Sequence, residues 1–203
     1  MKLRWVIVLG LLLVGCSGKT PHRENGWTPQ RPVSGAQTWM PLSEEAGENW
    51  GVSPRLITAI IAVESGGNPT LVSSSNAVGL MQIKASTAGR EVWRQQGKSG
   101  QPSARELKDP ARNIDIGAAY LSILQSGILR GIENPQTMEY ALIVAYVNGA
   151  GALLRIFSSD RNKAIAQINA LSPQDFWQYV MDNHPSSQAP RYLWKVKRAM
   201  ENV

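Results

Sequence analysis

From Leu56 to Val63 the chain reads Leu-Ile-Thr-Ala-Ile-Ile-Ala-Val, with Thr58 as its one polar side chain. A helix with no polar face has a single stable place, the middle of a core wrapped by other elements. Ser53 before Pro54 supplies an N-cap followed by proline at the first helical position. Gly66, Gly67 and Pro69 end the helix. At its C-terminal end stands Glu64. No other ionisable side chain occurs between Arg55 and Lys84, and no other carboxylate between Glu48 and Glu91. A lone acid at the edge of an apolar helix, followed by two glycines and a serine-rich loop, marks a candidate site.

Two features favour a protonated Glu64 at neutral pH. Its neighbours in sequence are apolar, so ionising it costs solvation. It also lies in the last helical turn, where the negative end of the helix dipole disfavours a carboxylate. Both raise the pKa, as a general acid requires. The plainer alternative is a half-buried glutamate paired with an arginine such as Arg90 or Arg112, and the residues alone leave both open. Ser73 and Ser75 are spaced so that an extended segment would project both hydroxyls to one side; ordinary turn chemistry accounts for such serines equally well. The two histidines, His22 and His184, are too few and too scattered for zinc. No G-x-S-x-G, Cys/His pair or phosphate loop is present. No cofactor and no metal are expected.

At 203 residues the chain has the size of one domain with a short appendage. Hydrophobic residues make up 43%, enough for a sizeable core, and the formal charge is +6. Lysine and arginine are scattered without a block or nucleic-acid motif, which argues against a nucleic-acid partner. The N-terminus is separate from the fold. Lys2 and Arg4 precede an apolar run, Trp5 to Val14, far shorter than the ~20 residues a membrane-spanning helix needs. It ends in Leu13-Val14-Gly15-Cys16, which resembles the bacterial lipobox, and Cys16 is the only cysteine. The resemblance implies removal of residues 1–15 and acylation of Cys16; an ordinary signal peptide with an incidental cysteine is the alternative. Ser17, rather than aspartate, after the cysteine implies an outer-membrane destination. Residues 16–38, rich in Gly, Pro, Ser and Thr, read as the lipidated N-terminus and a flexible tether. Residues 39–203 form the domain.

Within that domain the pattern predicts a helix from Met40 to Trp50 stopped by Gly51, then the buried helix. Residues 68–88 follow as loop with a small hairpin and a short helix, and 94–103 as loop. Capped helices begin at Asp109-Pro110, with Ile114, Ala118, Leu121 and Leu124 on one face, and at Asn134-Pro135, running to Asn148-Gly149. Helical segments follow over Ala150–Phe157, Arg161–Leu171, Pro173–Asp182 with Ser172 as cap, and Pro190 to about Met200. The expected fold is mainly α, a single domain with a small loop or β excursion beside Glu64.

Several of these segments together resemble a known family. Gly51-Val52-Ser53-Pro54, Glu64-Ser65-Gly66-Gly67-Asn68-Pro69 and Gly79-Leu80-Met81-Gln82 are similar to motifs of the lytic transglycosylases related to the soluble 70-kDa enzyme and goose-type lysozyme. Asn113-Ile114 with Gly117 and Tyr120-Leu121 is similar to the family's N-I-x-x-G-x-x-Y-L helix. Ala145-Tyr146 with Asn148-Gly149 resembles its A-Y-N-x-G segment, and Arg191-Tyr192 its C-terminal tyrosine region. The match covers roughly residues 40 to 197, and the short chain with a lipobox resembles the family's endo-type membrane-bound branch. Two departures stand out. Val147 intervenes between Tyr146 and Asn148, so either Val147 or Asn148 takes the family's asparagine position. Arg191 and Tyr192 are adjacent where the family commonly has a residue between them.

The resemblance implies a lysozyme-like fold of the goose type and non-hydrolytic cleavage of peptidoglycan between N-acetylmuramic acid and N-acetylglucosamine, leaving 1,6-anhydro ends. Glu64 would act first as acid, then as base. Ser73, Ser75 and Tyr192 would orient the sugars or Glu64; Met81, Gln82, Tyr146 and Asn148 would line the groove. The implied partners are glycan strands and, through Cys16, outer-membrane lipid, with the domain in the periplasm and the chain acting as a monomer. A hydrolytic muramidase, with a second carboxylate such as Asp109 or Asp115 brought near, is one alternative. A non-catalytic peptidoglycan-binding lipoprotein is another.

Overall fold

The computed structural model describes residues 34–203. The leader, Cys16 and most of the tether segment lie outside those residues. Among the described residues the fold is helical except for one two-stranded hairpin, as the periodicity predicts.

Ser34–Trp39 form a 3₁₀ helix, which replaces the expected tether over its last residues. Ala36 is fully enclosed, and the Trp39 indole N–H donates to the Gly67 carbonyl at 3.0 Å. Residues 34–38, assigned to the tether from sequence, are thus packed against the domain. Six residues without apolar periodicity are held by these contacts, which composition does not reveal.

Helix α1, Met40–Trp50, ends at Gly51 in the left-handed conformation, with Gly51 N–H returning to Gly47 O at 2.9 Å. Helix α2, Pro54–Glu64, starts on Ser53, whose hydroxyl accepts from the Leu56 N–H. Leu56 through Ile61 are buried without interruption, and Thr58 satisfies its hydroxyl on the Pro54 carbonyl. Four fully buried Leu and Ile side chains here contribute about 1.5–3 kcal/mol each. The hairpin β1, Ala77–Val78, and β2, Ile83–Lys84, pairs Ala77 with Lys84 and Val78 with Ile83. A single π-helical turn, Ala85–Gly89, leads into α3, Arg90–Gln95. A short helix not foreseen from the sequence, α4, Ala104–Leu107, is fixed by a capping box between Ser103 and Glu106.

Helix α5, Pro110–Ser126, and helix α6, Pro135–Asn148, start on Asp109 and Asn134, whose side chains accept N–H groups of the first turn. Residues Tyr140 to Ala145 of α6 are all buried, so a second helix besides α2 is enclosed on every side. Helices α7, Ala150–Arg155, α8, Arg161–Asn169, and α9, Pro173–Asn183, close one end of the core. Helix α10, Gln188–Met200, turns Tyr192, Leu193, Val196, Ala199 and Met200 inward and packs on both α2 and α6. That contact brings the C-terminal helix to Glu64.

Candidate active site

Glu64 sits at the last residue of α2, where Ser65 closes the helix. The Ser65 hydroxyl donates to the Ile61 carbonyl and accepts from the Gly67 N–H. One small side chain thus satisfies both sides of the turn and lets the chain leave through Gly66 and Gly67 at positive φ. The Tyr192 hydroxyl donates to Glu64 Oε1 at 2.7 Å. Burial raises the pKa of Glu64, and the Tyr192 hydrogen bond and the charge of Lys195 pull it partly back. Burial, then the nearby Glu64, holds the Tyr192 hydroxyl well above the ordinary tyrosine range, so it stays a neutral donor. Neither arginine of the plainer alternative pairs with Glu64: Arg90 bonds to Gln101, and Arg112 lines a different hollow.

Glu64 faces an open cleft of about 440 Å³. The hairpin side contributes Ser73, Ser75, Ala77, Gln82 and Lys84; the helical side contributes Tyr120, Tyr146, Val147 and Gln188. Glu64 is the only carboxylate among the lining residues. Asp109 and Asp115 border a separate hollow between α1 and α5, where Asp115 accepts from the Trp50 indole at 2.7 Å.

Asn113 holds the hairpin in place. From α5, fully enclosed, it accepts from the Met81 N–H at 2.8 Å and donates to the carbonyls of Val78 (2.9 Å) and Leu107 (2.7 Å). Gly79 takes a positive φ, and a Cβ there would fall 2.3 Å from the Leu107 carbonyl oxygen. Gly117 makes room for Met81, whose sulfur would lie 2.2 Å from an added Cβ. The Met81 carbonyl in turn accepts from the Tyr146 hydroxyl at 2.8 Å, and Tyr146 meets Tyr120 edge to face. Asn113, Gly117 and Tyr120 fall along α5 at helical spacing, so one helix fixes both the hairpin and the far wall.

Residues 41–169 match the family description "Transglycosylase SLT domain". The chain belongs to this family. It is 66% identical over 200 residues to "Endo-type membrane-bound lytic murein transglycosylase A" of Cronobacter sakazakii, covering 98% of each chain. A protein of the same description from Enterobacter sp. is 64% identical over 201 residues, covering 99% of each. Within the endo-type membrane-bound branch, the short chain with its lipobox resembles the member lettered E, whereas these relatives carry the letter A. Among solved structures, an inactive mutant of lytic transglycosylase Slt from Pseudomonas aeruginosa aligns with a TM-score of 0.60 at 24% identity. The alignment covers 79% of this chain and 23% of that longer one, and it shows the fold.

In this SLT domain most of the residues singled out from sequence gather around Glu64. Glu64, Ser73, Ser75, Gln82 and Tyr146 border the cleft, and Tyr192 reaches Glu64 from beneath. Ser73 and Ser75 converge to 3.1 Å through a turn rather than an extended run, and the Ser73 hydroxyl also accepts from the Ala77 N–H. Gln82 adopts a positive φ of 49°, with its side-chain amide donating to the Leu71 and Gly79 carbonyls.

Two placements need correction. Met81 does not line the cleft; its side chain is fully buried against Gly117, and only its backbone serves the wall. Asn148 also turns away, donating to the Ser186 hydroxyl at 3.3 Å, while Val147 takes the cleft-facing position. Asn148 thereby holds the loop that leads into α10. Sequence reading assigned no site role to Lys195, Lys84, Tyr120 or Gln188. Tyr120 alone carried a signal, its place in the N-I-x-x-G-x-x-Y-L pattern.

Proposed function

We propose that the protein is a lytic murein transglycosylase in which Glu64 serves as both acid and base. The relatives' names give the reaction class, and one observation carries the residue assignment: a single carboxylate, with raised pKa, stands in the cleft. Ordinary glycosidases need two carboxyl groups, about 5–5.5 Å apart for retention or 6.5–9.5 Å for inversion. A transglycosylase needs one, because the nucleophile belongs to the substrate.

With Oε1 engaged by Tyr192, the transferable proton sits on Oε2. Glu64 delivers it to the glycosidic oxygen between N-acetylmuramic acid and N-acetylglucosamine as the bond to the muramic acid C1 breaks. The substrate's own N-acetyl group stabilises the resulting cation. Glu64, now ionised and still bonded to Tyr192, takes the proton from the muramic acid 6-hydroxyl as that oxygen closes on C1. The 1,6-anhydro ring forms, and Glu64 is again protonated. Intramolecular attack gains from the high effective molarity of a tethered nucleophile. Ser73 and Ser75 orient the sugar, and Gln82 and Tyr146 shape the cleft.

The chain acts as an endo-type enzyme and a monomer. Acylated Cys16 anchors it to the outer membrane, with the domain in the periplasm. The relatives' description as membrane-bound supports an anchor. Among the described residues no helix is long and apolar enough to cross a membrane.

The test is to digest murein with the full-length protein in detergent and weigh the released muropeptides. Products lighter by one water than hydrolytic fragments are expected. A hydrated reducing end would favour a muramidase, and no release would favour a binding protein.

A further inference from the structure

We infer that Lys84 reads a carboxylate on the peptide stem of the substrate and thereby makes the cleft selective for peptide-bearing strands. The inference rests on the proposed action on murein. Lys84 is the only cationic side chain among the residues lining the cleft. Its placement follows from the hairpin register: Ile83 turns into the core and is 1% exposed, so the next residue turns out. Its ammonium forms no ion pair or hydrogen bond among the described residues. It does not serve Glu64 either, for the cation that perturbs Glu64 is Lys195. The glycan strand of alternating N-acetyl sugars carries no charge that calls for a lysine. The negative charges of murein lie on the peptides attached to the lactyl groups of muramic acid. A lone unpaired ammonium beside the sugar-binding wall is matched to those carboxylates.

The test compares two substrates of equal shape. One is uncrosslinked murein strands with stem peptides intact. The other is the same strands with their carboxylates converted to methylamides by carbodiimide and excess methylamine. For the wild-type full-length protein in detergent, kcat/KM should be higher on the charged strands, mainly through KM. In Lys84→Met the ratio of kcat/KM for charged over amidated strands should fall about fivefold. At 1.4 kcal/mol per tenfold this equals ~1 kcal/mol, the scale of a solvent-exposed ion pair. Lys84→Arg should keep most of the ratio, and salt should erode it in the wild type. A ratio in Lys84→Met equal to that of the wild type overturns the inference. A wild-type protein that cleaves neither substrate overturns instead the reading on which the inference rests.

Discussion

The Tyr192 hydroxyl donates to Glu64 Oε1 across 2.7 Å, joining residues 128 positions apart. This bond favours the ionised carboxylate, while burial favours the protonated one. Glu64 is thereby held between the two protonation states that its proposed role as acid and base uses.

Removing the bond separates the two effects. In Tyr192→Phe the pKa of Glu64 should rise, because a lowering influence is lost while burial remains. The alkaline limb of the kcat/KM–pH profile should move to higher pH. Activity at neutral pH should fall about 10- to 100-fold, in line with ~1.5–3 kcal/mol for a hydrogen bond to a charged group. An unmoved alkaline limb would show that Tyr192 does not set the acidity of Glu64.

Glu64→Gln keeps the shape and the acceptor for Tyr192 but removes the proton. Its kcat should drop by about 10²- to 10⁴-fold, the usual contribution of general acid–base catalysis. Its stability carries a separate signature. The native state binds the Glu64 proton more tightly than the unfolded chain, whose carboxyl has the ordinary value of 4.5. That stabilisation is complete below pH 4.5 and is lost as pH rises through the raised native pKa. At neutral pH the Gln variant should therefore melt above the wild type, with the gap closing as pH falls toward 4.5. A gap independent of pH, seen by calorimetry, would contradict a raised native pKa.

Asn113→Ala strands three buried backbone groups at once: the Met81 N–H and the carbonyls of Val78 and Leu107. A loss of about 3–5 kcal/mol in denaturant unfolding is expected, at ~1–3 kcal/mol for each unsatisfied group with partial relaxation. Gly117→Ala should cost about 1–3 kcal/mol by forcing Met81 aside. A loss below ~1 kcal/mol for Asn113→Ala would mean that the hairpin is held by other contacts.

The two serines should part company. Ser73 accepts from the Ala77 N–H, whereas Ser75 bonds to Ser73 and otherwise faces the cleft. Ser73→Ala should lower both stability, by about 0.5–1.5 kcal/mol, and activity. Ser75→Ala should raise KM with the melting midpoint unchanged. Equal losses of stability would place both hydroxyls in turn maintenance.

Much of the fold was legible because its signals are local. Ser53, Asp109, Asn134 and Ser172 each cap the helix that follows, and prolines mark the first turns. The lack of a polar face on α2 located the core, and the isolation of Glu64 pointed to the cleft that it borders. What was illegible depends on partners distant in sequence. Met81 is buried because Gly117 opens a space for it, and the turn around Gly79 is fixed by Asn113. Val147 rather than Asn148 faces the cleft because Asn148 is drawn to Ser186, a contact without a sequence pattern. Residues 34–38 read as tether until the Trp39 indole is seen on Gly67.

The central claim, that one carboxylate suffices because water never enters the reaction, has a direct measurement. Murein is digested by the full-length protein in water enriched in the heavy oxygen isotope, and the muramic acid ends are weighed. The expected ends are 1,6-anhydro rings without label. Heavy oxygen at C1 of those ends would mean that water attacks there, and would contradict the assignment of Glu64 as sole acid and base.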